Sequence, residues 1–295
     1  MNHTTLLIFK LVAETQSVTQ AAKQLGRAQS NITTRIQQLE EELEVELFVR
    51  GNKKMLLSPA GQNFLSYARR ILSLAEEAKL ALHPARPAGT LKLGAMEACA
   101  ASRLPAILPL FQQRCPDADL TLRTMPTRQL TELVENATLD CALVSLPAGP
   151  DGSLQCPQTL EYLPLFIEQL VLISPVDRRD YRFAAFPAGC SYRQRGIEYL
   201  QQTGTHVDIV DVSSYHAMMA NVATGRYACL LPESVLALLT LPAGCQTQYV
   251  TQAATQLIWR RGYVSPILDA LRELLLTPAA GNQPGGSQQH AAGRQ

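Results

Sequence analysis

The spacing of hydrophobic and polar positions between residues 17 and 50 predicts two short helices joined by a turn at Gly26. Ser17 stands where a side-chain oxygen would cap the first helix. The second helix is predicted from about Ala28 to Leu43. Its apolar positions follow at spacings of four, three and four residues, at Ile32, Ile36, Leu39 and Leu43. The pattern therefore predicts a helical hairpin with one apolar face against its own domain.

The opposite face of the second helix is polar and uncharged to basic near its start. Side chains of this kind reach base edges and phosphates from a helix that lies in a major groove. A helical hairpin of an ordinary soluble protein shows the same periodicity, so the face alone leaves DNA binding and simple packing both open. The candidate groove-facing residues are Gln29, Ser30, Asn31, Thr33, Thr34 and Arg35.

Two short apolar runs, residues 47–49 and 55–57, follow this helix and predict a β-hairpin. The tip between them carries Arg50, Lys53 and Lys54 beside a glycine and an asparagine. Cations at such a tip would lie against a phosphate backbone, like the wing of a winged helix domain. An ordinary solvated turn is the alternative interpretation of these lysines.

Residues from about 4 to 66 resemble the winged helix-turn-helix domain of LysR-type transcriptional regulators. The matching blocks, in order, are LLIFKLVAETQSVTQAAKQL, AQSNITTRIQQLEEEL, LFVR and LSPAG. The resemblance implies that the second helix enters the major groove, and that Arg50, Lys53 and Lys54 contact the flanking backbone. Two departures are visible: Glu44 stands where a glycine often ends that helix, and Gln16–Ser17 replace a glycine-containing turn.

A longer helix is predicted to begin after the capping pair Ser58–Pro59 and to end near Leu82. Its apolar positions alternate four and three apart over about three heptads, and packing against its own domain is the alternative. The resemblance favours a linker helix that pairs two chains, so that a dimer would read a pseudo-palindromic operator. The residues of this seam are Phe64, Ala68, Ile71, Ala75, Ala78 and Leu82.

From Thr90 the pattern alternates between strands and helices, which favours parallel sheets covered by helices. The predicted fold class is therefore α/β: an all-α winged helix-turn-helix with a long linker helix, then a two-lobed domain that resembles the periplasmic-binding-protein-like effector domain of the same family. The predicted boundaries are 1–58 for DNA binding, 59–89 for the linker helix and hinge, and 90–277 for the effector domain. Lobe I takes about 90–162 and 261–277, lobe II takes about 163–260, and 278–295 form a disordered tail.

An effector site is expected between the lobes, where strand ends meet helix N-termini, and the backbone N–H groups there favour an anionic or strongly polar small molecule. Arg193 is a candidate carboxylate clamp or, alternatively, one half of a surface ion pair. Helix capping is the competing role for each serine and threonine. The candidates are Glu97, Ala98, Ser102, Thr127, Ser145, Cys190, Ser191, Tyr192, Arg193 and Ser213, with Leu146 and Ser214 beside them.

Charge and cysteine usage narrow the classes of function. Residues 1–87 carry a net charge of +3 and the remainder −2, so the basic side chains favour the predicted DNA-binding half. The seven cysteines are scattered without CxxC pairs, which argues against a disulfide framework or a zinc site. With no secretory pattern at the N-terminus, a cytoplasmic location is expected. A redox sensor using Cys99 and Cys190 remains the alternative.

No catalytic signature such as HExxH, GxSxG or a P-loop occurs, and the histidines are dispersed, so the chain is not expected to be an enzyme. No metal, cofactor or membrane partner is expected. The predicted function is a homodimeric or homotetrameric regulator that binds double-stranded DNA and responds to a small-molecule effector. RNA polymerase is a further candidate partner.

Overall fold

The computed structural model describes residues 1–51, 54–82, 88–149, 152–177, 180–204 and 207–277. Several sequence expectations lie outside these residues: Lys53 at the hairpin tip, most of the predicted hinge (83–87) and the predicted tail (278–295). For Arg50, only the backbone is described.

The N-terminal domain has the predicted order of helices and hairpin. Helices α1 (His3–Thr15), α2 (Val18–Leu25) and α3 (Gln29–Leu43) precede an antiparallel pair, β1 (Phe48–Gly51) and β2 (Lys54–Leu57). The apolar faces of the helices meet in one core, in which the Phe9 ring lies 5.4 Å from that of Phe48 and 5.1 Å from that of Phe64. The core therefore fixes the orientation of α3 relative to the hairpin.

The turns around these helices explain the two departures from the family pattern. Ser17 caps α2 by accepting a hydrogen bond from the Gln20 N–H, and Gly26 ends it at φ 61°. Gln16 and Glu44 end α1 and α3 in the same left-handed region, at φ 52° and 54°. Residues with side chains rarely adopt this conformation, which glycine accepts without strain. The chain keeps the turn geometry at these two positions without the glycine.

Helix α4 (Pro59–Ala81) begins as predicted, because the Ser58 hydroxyl accepts a hydrogen bond from the Gly61 N–H at 2.9 Å. The two halves of the predicted apolar seam on α4 have different surroundings. Phe64 and Ala68 pack into the N-terminal core, which confirms the own-domain alternative for that half. Further along, Tyr67, Ile71 and Leu74 are 53%, 41% and 65% exposed. We call the stripe formed by Tyr67, Ile71, Leu74 and Ala78 the α4 stripe.

Gly61, at the start of α4, is required by a close backbone approach. A Cβ added there would lie 2.0 Å from the Leu47 carbonyl oxygen, which accepts a hydrogen bond from the Ser58 N–H. We expect Gly61→Ala to lower the free energy of unfolding of this domain by about 1–3 kcal/mol, as overpacking does. Thermal unfolding measures the loss, with the exposed neighbour Gln62→Ala as control. An unchanged midpoint for Gly61→Ala would contradict the close approach.

The C-terminal domain alternates strands and helices over residues 89–276. Its elements are β3 (Gly89–Ala95), α5 (Glu97–Ser102), α6 (Leu104–Arg114), β4 (Ala118–Thr124), α7 (Thr127–Glu135), β5 (Cys141–Val144), β6 (Leu160–Pro175), β7 (Arg182–Ala185), α8 (Ser191–Gln202), β8 (Ile209–Asp211), α9 (Tyr215–Val222), β9 (Tyr227–Pro232), α10 (Glu233–Leu236), β10 (Cys245–Arg260) and α11 (Pro266–Leu276).

These strands form one hydrogen-bonded order, β4-β3-β5-β10-β6-β9-β7-β8, within the described residues. The expected parallel pairing is present, since β3 pairs in parallel with β4 and β5, and β7 with β8 and β9. The sequence did not reveal that β10 is antiparallel to β5 and β6. Strand β6 is also antiparallel to β9. The reason is that β6 and β10 each run through both lobes, in opposite directions, and join two parallel sheets.

The two long strands, β6 and β10, are 16 residues each. Strand β10 begins at Cys245, and two register shifts interrupt its pairing with β6, at Tyr249/Thr251 and Thr255/Gln256. Its first half is mostly exposed and rich in Gln and Thr, so it lacks the apolar alternation that marks a strand. Such bulges bend a strand, and here they accompany its passage between the lobes.

Arg260, at the end of β10, joins the two domains. Its guanidinium donates to the Ser73 hydroxyl at 2.9 Å and to the Glu77 carboxylate at 3.3 Å on α4. It also donates to the carbonyl oxygens of Val134 and Leu139 at 3.4 and 3.0 Å. The Arg260 and Glu77 side chains are 12% and 15% exposed, so this contact between α4 and the C-terminal domain is largely shielded from water.

Candidate functional sites

Helix α3 presents an exposed polar face beside the β1–β2 hairpin. Ile32, Ile36 and Leu39 are buried on its other side. The Arg35 guanidinium has one side-chain partner among the described residues, the Gln38 amide oxygen at 3.4 Å, and Lys54 is exposed at the start of β2. All six predicted groove-facing side chains are exposed: Gln29, Ser30, Asn31, Thr33, Thr34 and Arg35.

Glu40 holds the hairpin at a fixed place relative to α3. One of its carboxylate oxygens accepts hydrogen bonds from the N–H groups of Leu47 and Phe48, at 2.8 and 3.1 Å. Ser58 completes the link by donating to the Glu46 carbonyl oxygen at 2.6 Å. A carboxylate that accepts two backbone N–H groups forms strong, directional bonds, so the exposed face of α3 and Lys54 at the start of β2 belong to one rigid surface.

A cavity of about 200 Å³ lies between the lobes. Lobe I contributes the segments after β3 and β4, and lobe II contributes the segments after β7 and β8, so strand ends from both lobes face one another. This is the location predicted for a ligand in an open α/β domain. The residues that line the cavity are Met96, Glu97, Ala98, Thr124, Met125, Pro126, Thr127, Phe186, Pro187, Cys190, Tyr192, Ser213 and Tyr215.

Six of the ten sequence candidates for the effector site line this cavity, and Ser102 and Ser145 do not. Ser102 donates its hydroxyl to the Ala98 carbonyl oxygen at 2.8 Å, in its own helix. Ser145 is fully buried behind the cavity wall. Ser214 caps α9 by accepting from the Ala217 N–H at 3.1 Å, as the capping alternative predicted. The six lining candidates are Glu97, Ala98, Thr127, Cys190, Tyr192 and Ser213.

Thr127 does not cap its helix. Its hydroxyl donates to the Met96 sulfur at 3.2 Å and accepts from the Ser145 N–H at 3.4 Å. Nearby, the Gln256 side-chain oxygen accepts from the Leu146 N–H at 3.0 Å. These bonds join the ends of β5 and β10 to the start of α7, and they hold the lobe I wall of the cavity in place.

Arg193 and Ser191 lie in an adjoining cleft of about 470 Å³ rather than in the cavity. The Arg193 guanidinium donates to the Phe186 carbonyl oxygen at 2.9 Å and pairs with the Asp211 carboxylate. The predicted role as a carboxylate clamp is therefore less favoured than the ion-pair alternative. Leu146 lines the same cleft.

The two cysteines of the redox alternative are largely buried thiols. Burial raises the pKa of Cys99 to about 12, with the nearby Glu168 carboxylate adding to the rise. Burial also raises the pKa of Cys190, although the backbone N–H groups of Arg193 and Tyr192 oppose it. The thiolate is the reactive form, so the environment of both sulfurs disfavours rapid oxidation.

Sequence reasoning named one aromatic residue of the cavity, Tyr192, and missed the other two. Phe186 and Tyr215 pack edge to face, with ring centroids 5.0 Å apart, and Pro187 lies beside them. Phe186 and Pro187 follow the short strand β7, which the sequence did not reveal, and Tyr215 follows the Ser214 cap. An aromatic residue placed directly after a strand or a cap was the only local signal.

Family comparison agrees with this architecture. Residues 3–62 match the model described as "Bacterial regulatory helix-turn-helix protein, lysR family", and residues 84–279 match "LysR substrate binding domain". The chain belongs to the LysR family of transcriptional regulators. This LysR-type regulator thus combines a DNA-binding helix-turn-helix domain with an effector-binding domain.

Curated relatives of this LysR-type regulator match over most of their length. It is 35% identical over 238 residues to the HTH-type transcriptional regulator YofA of Bacillus subtilis (strain 168), covering 78% of this chain and 81% of that protein. It is 31% identical over 289 residues to the HTH-type transcriptional regulator GltR of the same strain, covering 95% and 93%. Both relatives are named as regulators.

Solved structures share the fold over nearly the whole chain. A full-length point variant of OxyR from Pseudomonas aeruginosa aligns with a TM-score of 0.73 at 20% identity, covering 96% of this chain and 99% of that one. Full-length CbnR complexed with its target DNA aligns with a TM-score of 0.62 at 24% identity, covering 93% and 99%. These likenesses show a helical DNA-binding region followed by a two-lobed α/β domain.

None of the helices among the described residues combines the length and the apolar character needed to span a bilayer. In the same part of the chain, no group of three or more His, Cys, Asp or Glu side chains is arranged to hold a metal ion.

Proposed function

We propose that this regulator recognises a specific DNA sequence through α3, with the β1–β2 hairpin against the flanking phosphates. The observation that carries the proposal is the exposed polar face of α3, held rigidly to the hairpin by Glu40. Arg35 suits guanine, because a guanidinium donates to both acceptors on its major-groove edge, and Asn31 suits adenine. Exposed Lys54, with Arg50 and Lys53, would contact phosphates without reading sequence.

We further propose that the active form is at least a dimer, paired through α4. The α4 stripe is apolar, exposed and spaced at four, three and four residues, which suits a second copy of the same helix. Two-fold symmetry would then present two α3 helices to a pseudo-palindromic site. Each segment then has one proposed role: residues 1–58 bind DNA, residues 59–89 link and pair the chains, and residues 90–277 respond to the effector.

The effector is proposed to bind in the cavity between the lobes, because both lobes line it and a ligand there would favour one arrangement of them. Strand β10 runs from the lobe junction at Thr255 and Gln256 to Arg260, which contacts Ser73 and Glu77 on the linker helix. A change in lobe placement would therefore reach α4 through one continuous strand. Regulation requires that the effector bind the two arrangements with different affinity.

Selection of bound duplexes from a random library tests the DNA-binding part. We expect enrichment of a pseudo-palindromic sequence, and we expect Arg35→Ala to weaken binding to it by about 10- to 100-fold while relaxing preference at one base pair. Lys54→Ala should weaken specific and non-specific duplexes alike and reduce the salt dependence of binding. Arg123→Ala removes an exposed cation from the effector domain and serves as the charge-matched control.

Two outcomes would contradict the proposal. The first is the absence of any enriched duplex. The second is full retention of operator affinity by Arg35→Ala and Lys54→Ala together.

For the effector site, Ser213→Trp fills the cavity from its exposed rim. We expect this variant to keep operator binding and to lose any response of a reporter gene to growth conditions that the unmodified protein shows.

A further inference from the structure

Three aromatic rings and one carboxylate dominate the chemistry of the cavity between the lobes. Phe186, Tyr192 and Tyr215 line it together with two methionines, and Glu97 is the one Asp, Glu, Lys, Arg or His residue in the lining. Burial raises the pKa of Tyr192 and Tyr215, so both phenols stay neutral. Cys190 is neutral for the same reason. The lining therefore offers apolar surface, π faces and a single negative charge.

Two arginines of the elements around the cavity, Arg103 and Arg193, are engaged by protein carboxylates. Arg103 donates twice to the buried Glu168, at 2.7 and 3.0 Å, and Arg193 pairs with Asp211. Neither arginine lines the cavity, and no lysine does. Glu97, by contrast, has no side-chain hydrogen bond or ion pair with any other described residue. Its carboxylate is the unmatched charge of the site.

Two backbone N–H groups at helix N-termini around the cavity are already bound within the protein. At α7, the Arg128 N–H donates to the Gly189 carbonyl oxygen at 3.2 Å. At α9, Ser214 accepts from the Ala217 N–H. The attraction of these two amides for a bound anion is therefore reduced.

We propose that the effector is a small organic cation: an ammonium group carried on a compact apolar body. This inference rests on the proposed function and narrows the sequence expectation of an anionic or polar ligand. A cation gains from the faces of aromatic rings and from a carboxylate that is partly shielded from water. The volume of about 200 Å³ admits a single ring or a branched alkyl chain beside the charged group.

Three probes test which ligand charge the cavity prefers. Benzylamine, benzyl alcohol and benzoate each carry a phenyl ring, and their substituents are cationic, neutral and anionic. Isothermal titration of the full-length protein should give benzylamine an affinity at least about tenfold higher than either of the others. Glu97→Gln should lower the affinity for benzylamine about tenfold and leave that for benzyl alcohol unchanged. Glu233→Gln is the matched control, because Glu233 also occupies the first turn of a helix in this domain but is exposed outside the cavity.

A second variant keeps the inference testable if Glu97→Gln alters folding. Phe186→Leu retains apolar bulk but removes one π face, and it should weaken benzylamine more than benzyl alcohol. The inference is overturned if benzoate binds as tightly as benzylamine, if none of the three probes binds, or if neither variant changes the preference. Benzoate binding that also shifts operator affinity would overturn the cation assignment while supporting the proposed function. Failure to enrich any operator would instead remove the proposed function, whichever probe binds.

Discussion

The double variant Ile71→Glu, Leu74→Glu is expected to be monomeric and to bind the operator about 100-fold or more weakly than the unmodified protein. Both side chains lie on the exposed α4 stripe, 41% and 65% accessible, and make no contribution to the N-terminal core. Placing four like charges across a two-fold helix pair opposes association. Without the pair, each α3 binds its half-site alone, and the gain from linking two binding events is lost.

Analytical ultracentrifugation gives the mass, and titration with full-site and half-site duplexes gives the affinities. The variant should bind a half-site as well as the unmodified protein does, because its α3 is unchanged. Leu238→Glu is the control, since Leu238 is 60% exposed on the effector domain, away from α4. If the double variant stays dimeric with normal full-site affinity, α4 is not the pairing helix. A far-UV circular dichroism spectrum that differs from that of the unmodified protein would point instead to a folding defect.

The N-terminal domain could be predicted closely because its signals are local. The spacing of Ile32, Ile36 and Leu39 fixes the buried face of α3. Ser17 and Ser58 mark helix starts through their hydroxyl groups, and Gly26 marks a helix end because it accepts a positive φ. The sequence could not establish how α3 ends at Glu44, because that residue adopts a left-handed conformation that its type seldom takes. Neighbouring structure, not local preference, determines that turn.

The sheet and the cavity were harder to predict because they depend on distant segments. The first half of β10 is polar and exposed, and β7 is only four residues long, so neither carries a clear strand pattern. The apolar wall of the cavity brings Met96 and Met125 of one lobe against Phe186 and Tyr215 of the other. No spacing along the chain predicts that meeting. The sequence alone could not separate ligand contacts from helix caps among the serines and threonines, because both roles use the same residue types.

Arg260→Met is expected to separate the response to the effector from DNA binding. The substitution keeps an apolar stem of similar length but removes the donors to Ser73, Glu77, Val134 and Leu139. Glu77 then keeps its hydrogen bond from the Ser73 hydroxyl but loses its charged partner, which in a site shielded from water costs about 3 kcal/mol of local stability. The second half of α4 should then detach from lobe I. Amide hydrogen exchange of residues 73–79 should become faster in this variant, while that of α3 stays unchanged.

Coupling between the cavity and the operator provides the functional measurement. In the unmodified protein a bound effector should change operator affinity about 5- to 100-fold, as typical coupling energies give. In Arg260→Met, we expect the effector-dependent change in operator affinity to fall towards one-fold. The affinities for the ligand in the cavity and for a half-site duplex should both be retained. Glu77→Gln removes the charge from the same contact and should show an intermediate factor, whereas its exposed neighbour Glu76→Gln should behave like the unmodified protein. Equal coupling in the unmodified protein and the three variants would mean that the contact of Arg260 with α4 has no effect on DNA binding. The signal from the cavity would then reach α4 by a route other than the strand from Thr255 to Arg260.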